Sequence, residues 1–360
     1  MTKQYLKALF QYLLVTLLSV SQASLAATEE SAVTEAMLDN GMKILVKPDN
    51  RAPVVVAQVW YRIGSSYEPD GLTGVSHVLE HMMFKGTARY GNGEFNRIIA
   101  ENGGKDNAFT GRDYTAYFQT LEKSRLPVSM ELESDRMQGL LLDEEEFAKE
   151  LQVVIEERRL RTEDKAENKT YEKFNEVAFP GHPYGRPVIG WMRDLKGLKV
   201  SDLQTWYQRY YSPSNAILVV VGDVDPDEVI AMARKYYGPI KGTKVELPQQ
   251  FKVARQSETR RITVEAPANV PYLILGFHVP AVVDKPAQDW EPYALEILSA
   301  ILDGGSAARF ADQLVRGQQV AAAASTSYDP FARLAGYFLV AGNPARDKDV
   351  PVSYTHLRAH

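Results

Sequence analysis

The stretch Gly74-Val75-Ser76-His77-Val78-Leu79-Glu80-His81 constrains this chain more than any other. In a helix, residues four apart lie one turn above each other, so His77 and His81 can direct two imidazoles at one metal ion. At about 100° per residue, the opposite side of the helix is apolar and consists of Val75, Val78, Leu79 and Met82. The apolar side can pack on a core while His77, Glu80 and His81 face a cleft.

A histidine in a helix is more often an ordinary core or surface residue than a ligand. The pair with its glutamate is different, because the chain has only 6 histidines. A chance His-x-x-Glu-His match is then expected on the order of 1% of the time, and this residue order is the inverzincin signature. We therefore interpret His77, Glu80 and His81 as part of a metal site.

The composition narrows the classes of protein and of site. A length of 360 residues allows two domains, each with its own core. A net charge of −5 argues against a nucleic-acid partner. The chain has no cysteine, so disulfides are excluded and any metal must be held by histidine and carboxylate.

The N-terminus has the pattern of a secretory signal peptide. Lys3 and Lys7 precede an apolar run from Leu13 to Val20, and small residues follow at Ser24-Leu25-Ala26-Ala27. A membrane anchor is the alternative, but the run is too short to span a bilayer and no second one follows. We expect residues 1–26 to be removed, leaving an exported, periplasmic protein without a membrane span in its mature form.

Hydrophobic patterning predicts the elements of the first part of the chain. A long acidic helix over 143–162 is expected after the metal helix of 72–84. The other expected elements are strands at 41–47, 54–62, 107–110 and 114–120, a helix at 93–102, a helix after Pro127, a helix at 201–210, a strand at 216–221 and a helix at 225–237.

A weak internal repeat follows a Lys-, Pro- and Gln-rich linker at 238–258. Its expected elements are strands at 261–264 and 272–278, helices at 293–302 and 307–315, and strands at 320–325 and 336–340. The helix at 293–302 has no His-x-x-Glu-His, so we expect a duplicated domain with one metal site. The expected units are a catalytic domain at 32–237 and a truncated second domain at 259–345, followed by a non-native tail at 350–360 without helical period or caps.

Zinc in a catalytic site usually has three protein ligands and a water, so one ligand is missing from the motif. The acidic helix offers candidates, with an expected buried stripe formed by Phe147, Leu151, Val154 and Ile155. Glu156 lies opposite this stripe and should face water. Glu150 and Glu157 lie on its border, two turns and roughly 10 Å apart, so only one of them can touch the metal.

The motif at His77–His81, followed by Glu157, resembles the M16 metallopeptidases, which include pitrilysin, insulin-degrading enzyme and the mitochondrial processing peptidase. The resemblance covers nearly all of residues 32–345 and is strongest with the short bacterial members. It includes Asn107-Ala108-Phe109-Thr110, His182-Pro183-Tyr184-Gly185 and Tyr211-Ser212-Pro213-Ser214-Asn215. It implies an α+β fold of two homologous domains, each with a mixed β-sheet and helices packed on one face.

The resemblance also implies roles for single residues. His77, His81 and Glu157 would bind one Zn²⁺ per chain, and Glu80 would be the general base. Glu150, the companion of Glu157, would orient a ligand histidine. The strand with Asn107, Ala108, Phe109 and Thr110 would bind extended substrate, although the residues alone favour an ordinary strand start there. We expect His182 to order its loop and not to bind metal.

The sequence thus predicts a periplasmic zinc endopeptidase of the M16 type that cuts peptides or unfolded polypeptide segments. The resemblance further implies a homodimer or a heterodimer with another M16-type chain, and an Arg/Tyr pair that grips substrate. Arg333 and Tyr337 lie in the corresponding region, but no motif assigns the pair. One alternative is a catalytically silent M16-fold subunit that works with an active partner, and another is a non-proteolytic zinc hydrolase on an unrelated fold.

Overall fold

The computed structural model describes residues 32–247, 256, 258–284 and 289–359. The expected signal peptide at 1–26 and residues 248–255 and 257 of the expected linker lie outside the described residues. Among those that are described, no helix combines the length and the apolar character that crossing a membrane requires.

Nine strands form in the described part of the chain, in two sheets. Their bounds are β1 (Thr34–Met37), β2 (Lys43–Pro48), β3 (Val54–Tyr61), β4 (Lys105–Thr110), β5 (Thr115–Glu122), β6 (Ala216–Gly222), β7 (Leu273–Val279), β8 (Ala321–Ser327) and β9 (Gly336–Pro344). The first sheet has the order β1-β2-β6-β3-β5-β4 and the second has the order β7-β9-β8.

In the first part of the chain the helices lie in groups between strands β3 and β4 and between β5 and β6, and one helix follows β6. Their bounds are α1 (Val75–Met82), α2 (Glu94–Glu101), α3 (Leu126–Gly139), α4 (Glu144–Arg158), α5 (Ala166–Ala178), α6 (Met192–Leu195), α7 (Val200–Tyr210), α8 (Pro226–Tyr236), α9 (Glu291–Asp303) and α10 (Val350–Ala359). Two π-helical segments, Arg159–Glu163 and Phe310–Gly317, follow or replace expected α-helix.

The first sheet is mixed, because β2 and β6 are parallel while β3 pairs antiparallel with both β5 and β6. Its strands alternate buried and less buried residues, which is the pattern of a sheet with one covered face. Helix α8 packs on β2, and α1 packs on α4, α7 and β4. The first core therefore holds α1 between the sheet edge at β4 and the acidic helix α4.

The second sheet is smaller in the described residues, and its three strands pair antiparallel. A core of its own includes Leu302, Phe310, Leu314 and Phe338. A third small core of Phe179, Tyr184 and Leu334 joins the loop after α5 to the second sheet.

Several expectations about the second half were wrong. Residues 261–264 form no strand, and the expected α-helix at 307–315 is the π-helical segment Phe310–Gly317. Residues 350–359 were expected to lack helical structure but form α10, in which Leu357 is 4% exposed and contributes to the second core. In the first half, the short edge strand β1 was not expected.

Candidate active site

Helix α1 carries the His-x-x-Glu-His motif and is fixed at its N-terminus by a buried carboxylate. Gly74 precedes it at a φ of +93°, where a Cβ would lie 2.7 Å from the Ile189 carbonyl oxygen. The two carboxylate oxygens of Glu68 accept hydrogen bonds from the backbone N–H groups of Gly74 and Ser76, at 2.7 and 2.9 Å. An anion at this end satisfies unpaired helix donors and complements the helix dipole.

The two sides of α1 are as predicted. The apolar side is fully buried, with Val75, Val78, Leu79 and Met82 each at 0% exposure. His77 and Glu80 are less than one-tenth exposed, and together with His81 they line a cleft of about 710 Å³. The helix is shorter than the expected 72–84, because Gly74 before it has a left-handed backbone and because the helical i→i−4 bonds end with Met83, after which the N–H groups of Phe84 and Lys85 bond three residues back.

Helix α4 brings the Glu157 side chain to the same cleft and places Glu150 beside His81. The carboxylate of Asp143 caps its first turn by accepting from the N–H groups of Glu145 and Glu146. As expected, the buried side of the helix consists of Phe147, Leu151, Val154 and Ile155. The side chains of Glu150 and Glu157 are 13% and 17% exposed, whereas that of Glu156 is 57% exposed and pairs with Arg159.

Three side chains meet in the arrangement expected of a metal site. One ligand atom from each of His77, His81 and Glu157 lies within 4.8 Å of the other two. The Nε2 atom of His77 is 3.8 Å from Oε1 of Glu157, and Nε2 of His81 is 3.4 Å from Oε2. Two imidazole nitrogens and one carboxylate form a donor set of the kind that holds catalytic zinc and leaves a fourth position open. The residues present therefore fit the metal.

The surroundings of these three side chains shift their pKa values in different directions. Burial, together with the charge of His81, lowers the pKa of His77 to about 4, which favours the neutral imidazole. Burial also lowers the pKa of His81, but hydrogen bonds to Glu157 and Glu150 outweigh it and raise that pKa overall. The hydrogen bond from His81 lowers the pKa of Glu157. The cluster can thus present a neutral imidazole and a carboxylate to a cation.

Glu80 is held next to this cluster by strand β4. Burial raises the pKa of its carboxyl group, which favours proton uptake. The hydroxyl of Thr110 donates a hydrogen bond of 2.5 Å to Oε2 of Glu80. Thr110 was expected to bind substrate, and the sequence gives no signal for its contact with Glu80, because the two residues are 30 positions apart.

Glu150 lies behind His81, as the resemblance implied. Its Oε2 is 3.2 Å from Nδ1 of His81, and its Oε1 is 2.5 Å from Nζ of Lys85. Lys85 was not among the predicted site residues, although it follows His81 by four residues, a spacing that places side chains on one helical face. Nδ1 of His77 is buried and has no hydrogen-bond partner among the described residues.

Strand β4 is the outer strand of the first sheet and forms one wall of the cleft. Asn107 and Phe109 are exposed, and Ala108 and Thr110 are half-buried. The Phe109 ring contacts Trp60 and Tyr114 edge-on, with centroids 5.3 and 6.0 Å apart. A free strand edge beside the histidines can pair with an extended peptide.

The loop after α5 and the second sheet complete the surroundings of the cleft. Nδ1 of His182 accepts a hydrogen bond from the N–H of Tyr184, and its ring stacks on Phe179, as expected for a residue that orders the loop. Arg333 contacts Asp113, Ser66 and the Tyr67 ring and does not line the cleft. The Tyr337 hydroxyl donates to the Asn175 side-chain oxygen at 2.6 Å, and Asn175 does line the cleft.

Comparison with known proteins identifies the family. The profile described as Insulinase (Peptidase family M16) matches residues 43–191, and the profile described as Peptidase M16 inactive domain matches residues 197–351. The zinc protease PqqE of Helicobacter pylori is 33% identical over 344 residues, covering 94% of this chain and 76% of that protein.

Solved structures agree in fold. The crystal structure of a protease from Helicobacter pylori matches with a TM-score of 0.85 at 30% identity, covering 91% of this chain and 79% of that one. The periplasmic protease PqqL from Escherichia coli matches with a TM-score of 0.75 at 21% identity, covering 92% of this chain and 37% of that one. The chain has two M16-type domains and belongs to peptidase family M16.

Proposed function

We propose that this protein is a zinc-dependent endopeptidase that hydrolyses peptides or unfolded polypeptide segments. The proposal rests chiefly on the convergence of His77, His81 and Glu157 beside Glu80, in a cleft walled by the free edge of β4. Metal ligands, a buried carboxylate and a strand edge are the parts that metal-assisted hydrolysis of an extended peptide requires.

Each residue then has a defined task. His77, His81 and Glu157 would hold one zinc ion, and the chemistry that a bound zinc ion would supply is to acidify a water molecule and to polarise a carbonyl group. Glu80 accepts a proton from the attacking water and passes it to the leaving amine, a role suited to its raised pKa. The hydroxyl of Thr110 keeps the Glu80 carboxylate in a fixed orientation.

The surrounding residues orient the ligands and the substrate. Glu150 accepts from Nδ1 of His81 and so fixes which ring nitrogen faces the metal. An extended substrate adds to the edge of β4 along Asn107–Thr110, where backbone pairing gives affinity without demanding one sequence.

We further propose the cellular and domain context. Residues 1–26 direct export to the periplasm, supported by their charged, apolar and small-residue pattern and by the periplasmic Escherichia coli protein of the same fold. The catalytic domain comprises 32–237, followed by a linker at 238–258 and a second domain at 259–345. The working form is a homodimer or a heterodimer with another M16-type chain.

Two variants test the proposal. Glu80→Gln should keep zinc but lower turnover of a quenched fluorescent peptide roughly a thousandfold, because a general base at a metal site is lost. Glu157→Gln should lose zinc affinity, whereas Glu156→Gln, with the same change on the exposed side of α4, should not. Bound zinc without chelator-sensitive cleavage in the unmodified protein would favour the catalytically silent subunit instead.

A further inference from the structure

The cleft contains an arginine without an acidic partner. Three arginines line it, of which Arg161 pairs with Glu157 at 2.6 Å and Arg186 pairs with Asp70 at 2.8 Å. The guanidinium of Arg112 has no carboxylate within 4 Å in the part of the chain that the structure describes. A half-buried cation without a counter-ion is unfavourable unless another anion compensates it.

The contacts of Arg112 found among the described residues are with neutral groups. Its Nη2 donates to the Asn175 side-chain oxygen at a long 3.4 Å, and the Tyr337 hydroxyl lies beside it. Its guanidinium carbon lies 5.0 Å from the centre of the Tyr184 ring. A guanidinium has five N–H donors in a fork that matches a carboxylate, so most of its donor capacity is available to a ligand.

The position of Arg112 relates it to the reacting centre. It follows Thr110 by two residues, and the Thr110 hydroxyl contacts Glu80. Extended chain advances about 3.3 Å per residue, so a peptide lying along β4 would reach Arg112 about two residues from the bond that is cut. The backbone is braced here, since the N–H of Gly111 donates to the Tyr114 carbonyl and Asp113 binds Arg333 of the second domain.

We propose that Arg112 forms an anion subsite that binds a carboxylate of the substrate about two residues from the scissile bond. This inference rests on the proposed peptidase function and narrows it to substrates with an Asp or Glu side chain, or a terminal carboxylate, at that distance. Asn175 and Tyr337 hold the guanidinium in place, and the Tyr184 ring limits its movement.

Binding to the zinc-loaded Glu80→Gln protein tests the subsite without requiring catalysis. Fluorescent ten-residue peptides, blocked at both ends, carry a single Glu, Gln or Lys scanned along the sequence, and their affinity is measured by fluorescence anisotropy at 0.15 M salt. At one position Glu should bind roughly tenfold more tightly than Gln, consistent with a charge-assisted hydrogen bond. The same peptides with a free C-terminus show whether a terminal carboxylate can serve as the anion.

Substitutions assign the preference to Arg112. Arg112→Gln should abolish it, Arg112→Lys should retain part of it, and Arg112→Glu should favour Lys in place of Glu. Arg209→Gln is the matched control, because it removes the same charge from an arginine that also lies about 5 Å from a tyrosine ring, at 5.1 Å from that of Tyr210. Arg209 does not line the cleft. The subsite would be overturned if Arg112→Gln left the preference for Glu unchanged. It would also be overturned if the Glu80→Gln protein with Arg112 intact showed no preference for Glu at any position of the peptide.

Cleavage of the same peptides by the unmodified protein separates the two proposals. Arg112-dependent binding without cleavage would refute the peptidase and leave the anion subsite standing. Chelator-sensitive cleavage without any dependence on Arg112 would refute the subsite alone.

Discussion

Lys85 should control zinc affinity although it touches no proposed ligand. Its ammonium group lies 2.5 Å from Oε1 of Glu150, whose other oxygen is 3.2 Å from Nδ1 of His81. Both side chains are largely buried, at 22% and 13% exposure, so Lys85→Met leaves Glu150 without its cation in a poorly solvated place. Glu150 then loses the charge-assisted contact that fixes its carboxylate and becomes a poorer partner for His81.

The expected loss of zinc affinity depends on how many contacts separate the substituted residue from the metal. Loss of an outer partner of a ligand histidine typically costs 10- to 100-fold in metal affinity. Lys85 acts one contact further out, so we expect Lys85→Met to weaken zinc binding about tenfold, or about 1.4 kcal/mol. Glu150→Gln, which removes the direct partner of His81, should weaken binding by at least as much.

Competition with a chromophoric chelator measures these affinities directly. Lys149→Met is the matched control: Lys149 is itself exposed, its described ion pairs are with the helix neighbours Glu145 and Glu146, and its loss should leave zinc affinity unchanged. Because Lys85 acts through Glu150, the double variant should bind zinc no more weakly than Glu150→Gln alone. Additive losses, or equal effects of Lys85→Met and Lys149→Met, would refute this reasoning.

Two further predictions concern Thr110 and His182. Thr110→Val should lower kcat roughly tenfold with KM nearly unchanged, because the hydrogen bond to Glu80 is lost. Thr110→Ser keeps the hydroxyl and should retain most of the parent kcat. Equal losses of kcat in the Val and Ser variants would contradict a role of the hydroxyl. Burial lowers the pKa of His182 to about 4, and its Nδ1 already accepts a hydrogen bond from Tyr184. Between pH 6.5 and 4 the imidazole of His182 therefore binds a proton in the unfolded chain but not in the folded chain. The stabilisation of the folded state by the neutral imidazole is complete above about pH 6.5 and is lost as the pH falls towards 4. His182→Asn keeps an acceptor at this position but has no group that titrates. Between pH 6.5 and 4 its free energy of unfolding, measured with urea, should fall by about 1–2 kcal/mol less than that of the parent, a figure discounted for partial solvent access. Parallel pH dependences of the two proteins would argue against this prediction.

Local periodicity predicted the elements around the site well. The buried sides of α1 and α4 depend only on the helical repeat and on the order of apolar residues, so the sequence contains them. The same rule identified Glu156 as exposed. It placed both Glu150 and Glu157 at the cleft, which holds for Glu157, whereas Glu150 contacts His81 and Lys85 and does not line the cleft. It did not choose between Glu150 and Glu157 as a ligand, since both lie on one border and the choice depends on how α4 crosses α1.

The failures were in segments whose structure depends on partners. Residues 261–264 contain three β-branched residues but pair with no strand in the described part of the chain. Strand β1, in contrast, has a weak strand sequence and forms because its backbone pairs with β2. Strand propensity thus describes suitability for a sheet, whereas the presence of a neighbouring strand decides whether the strand forms.

The second domain contributes to the site without supplying a metal ligand. Arg333 binds Asp113, and the N–H of Leu334 donates to the Tyr184 hydroxyl, which in turn donates to Asp113. These contacts hold the turn that follows β4, next to Arg112 and two to three residues beyond Thr110. Because Thr110 orients Glu80, the packing of the second domain is coupled to the position of the proposed general base. If the proposed function holds, a domain that lacks the metal motif is therefore required for catalysis, since it fixes the strand edge that contacts Glu80 and that we propose to bind substrate.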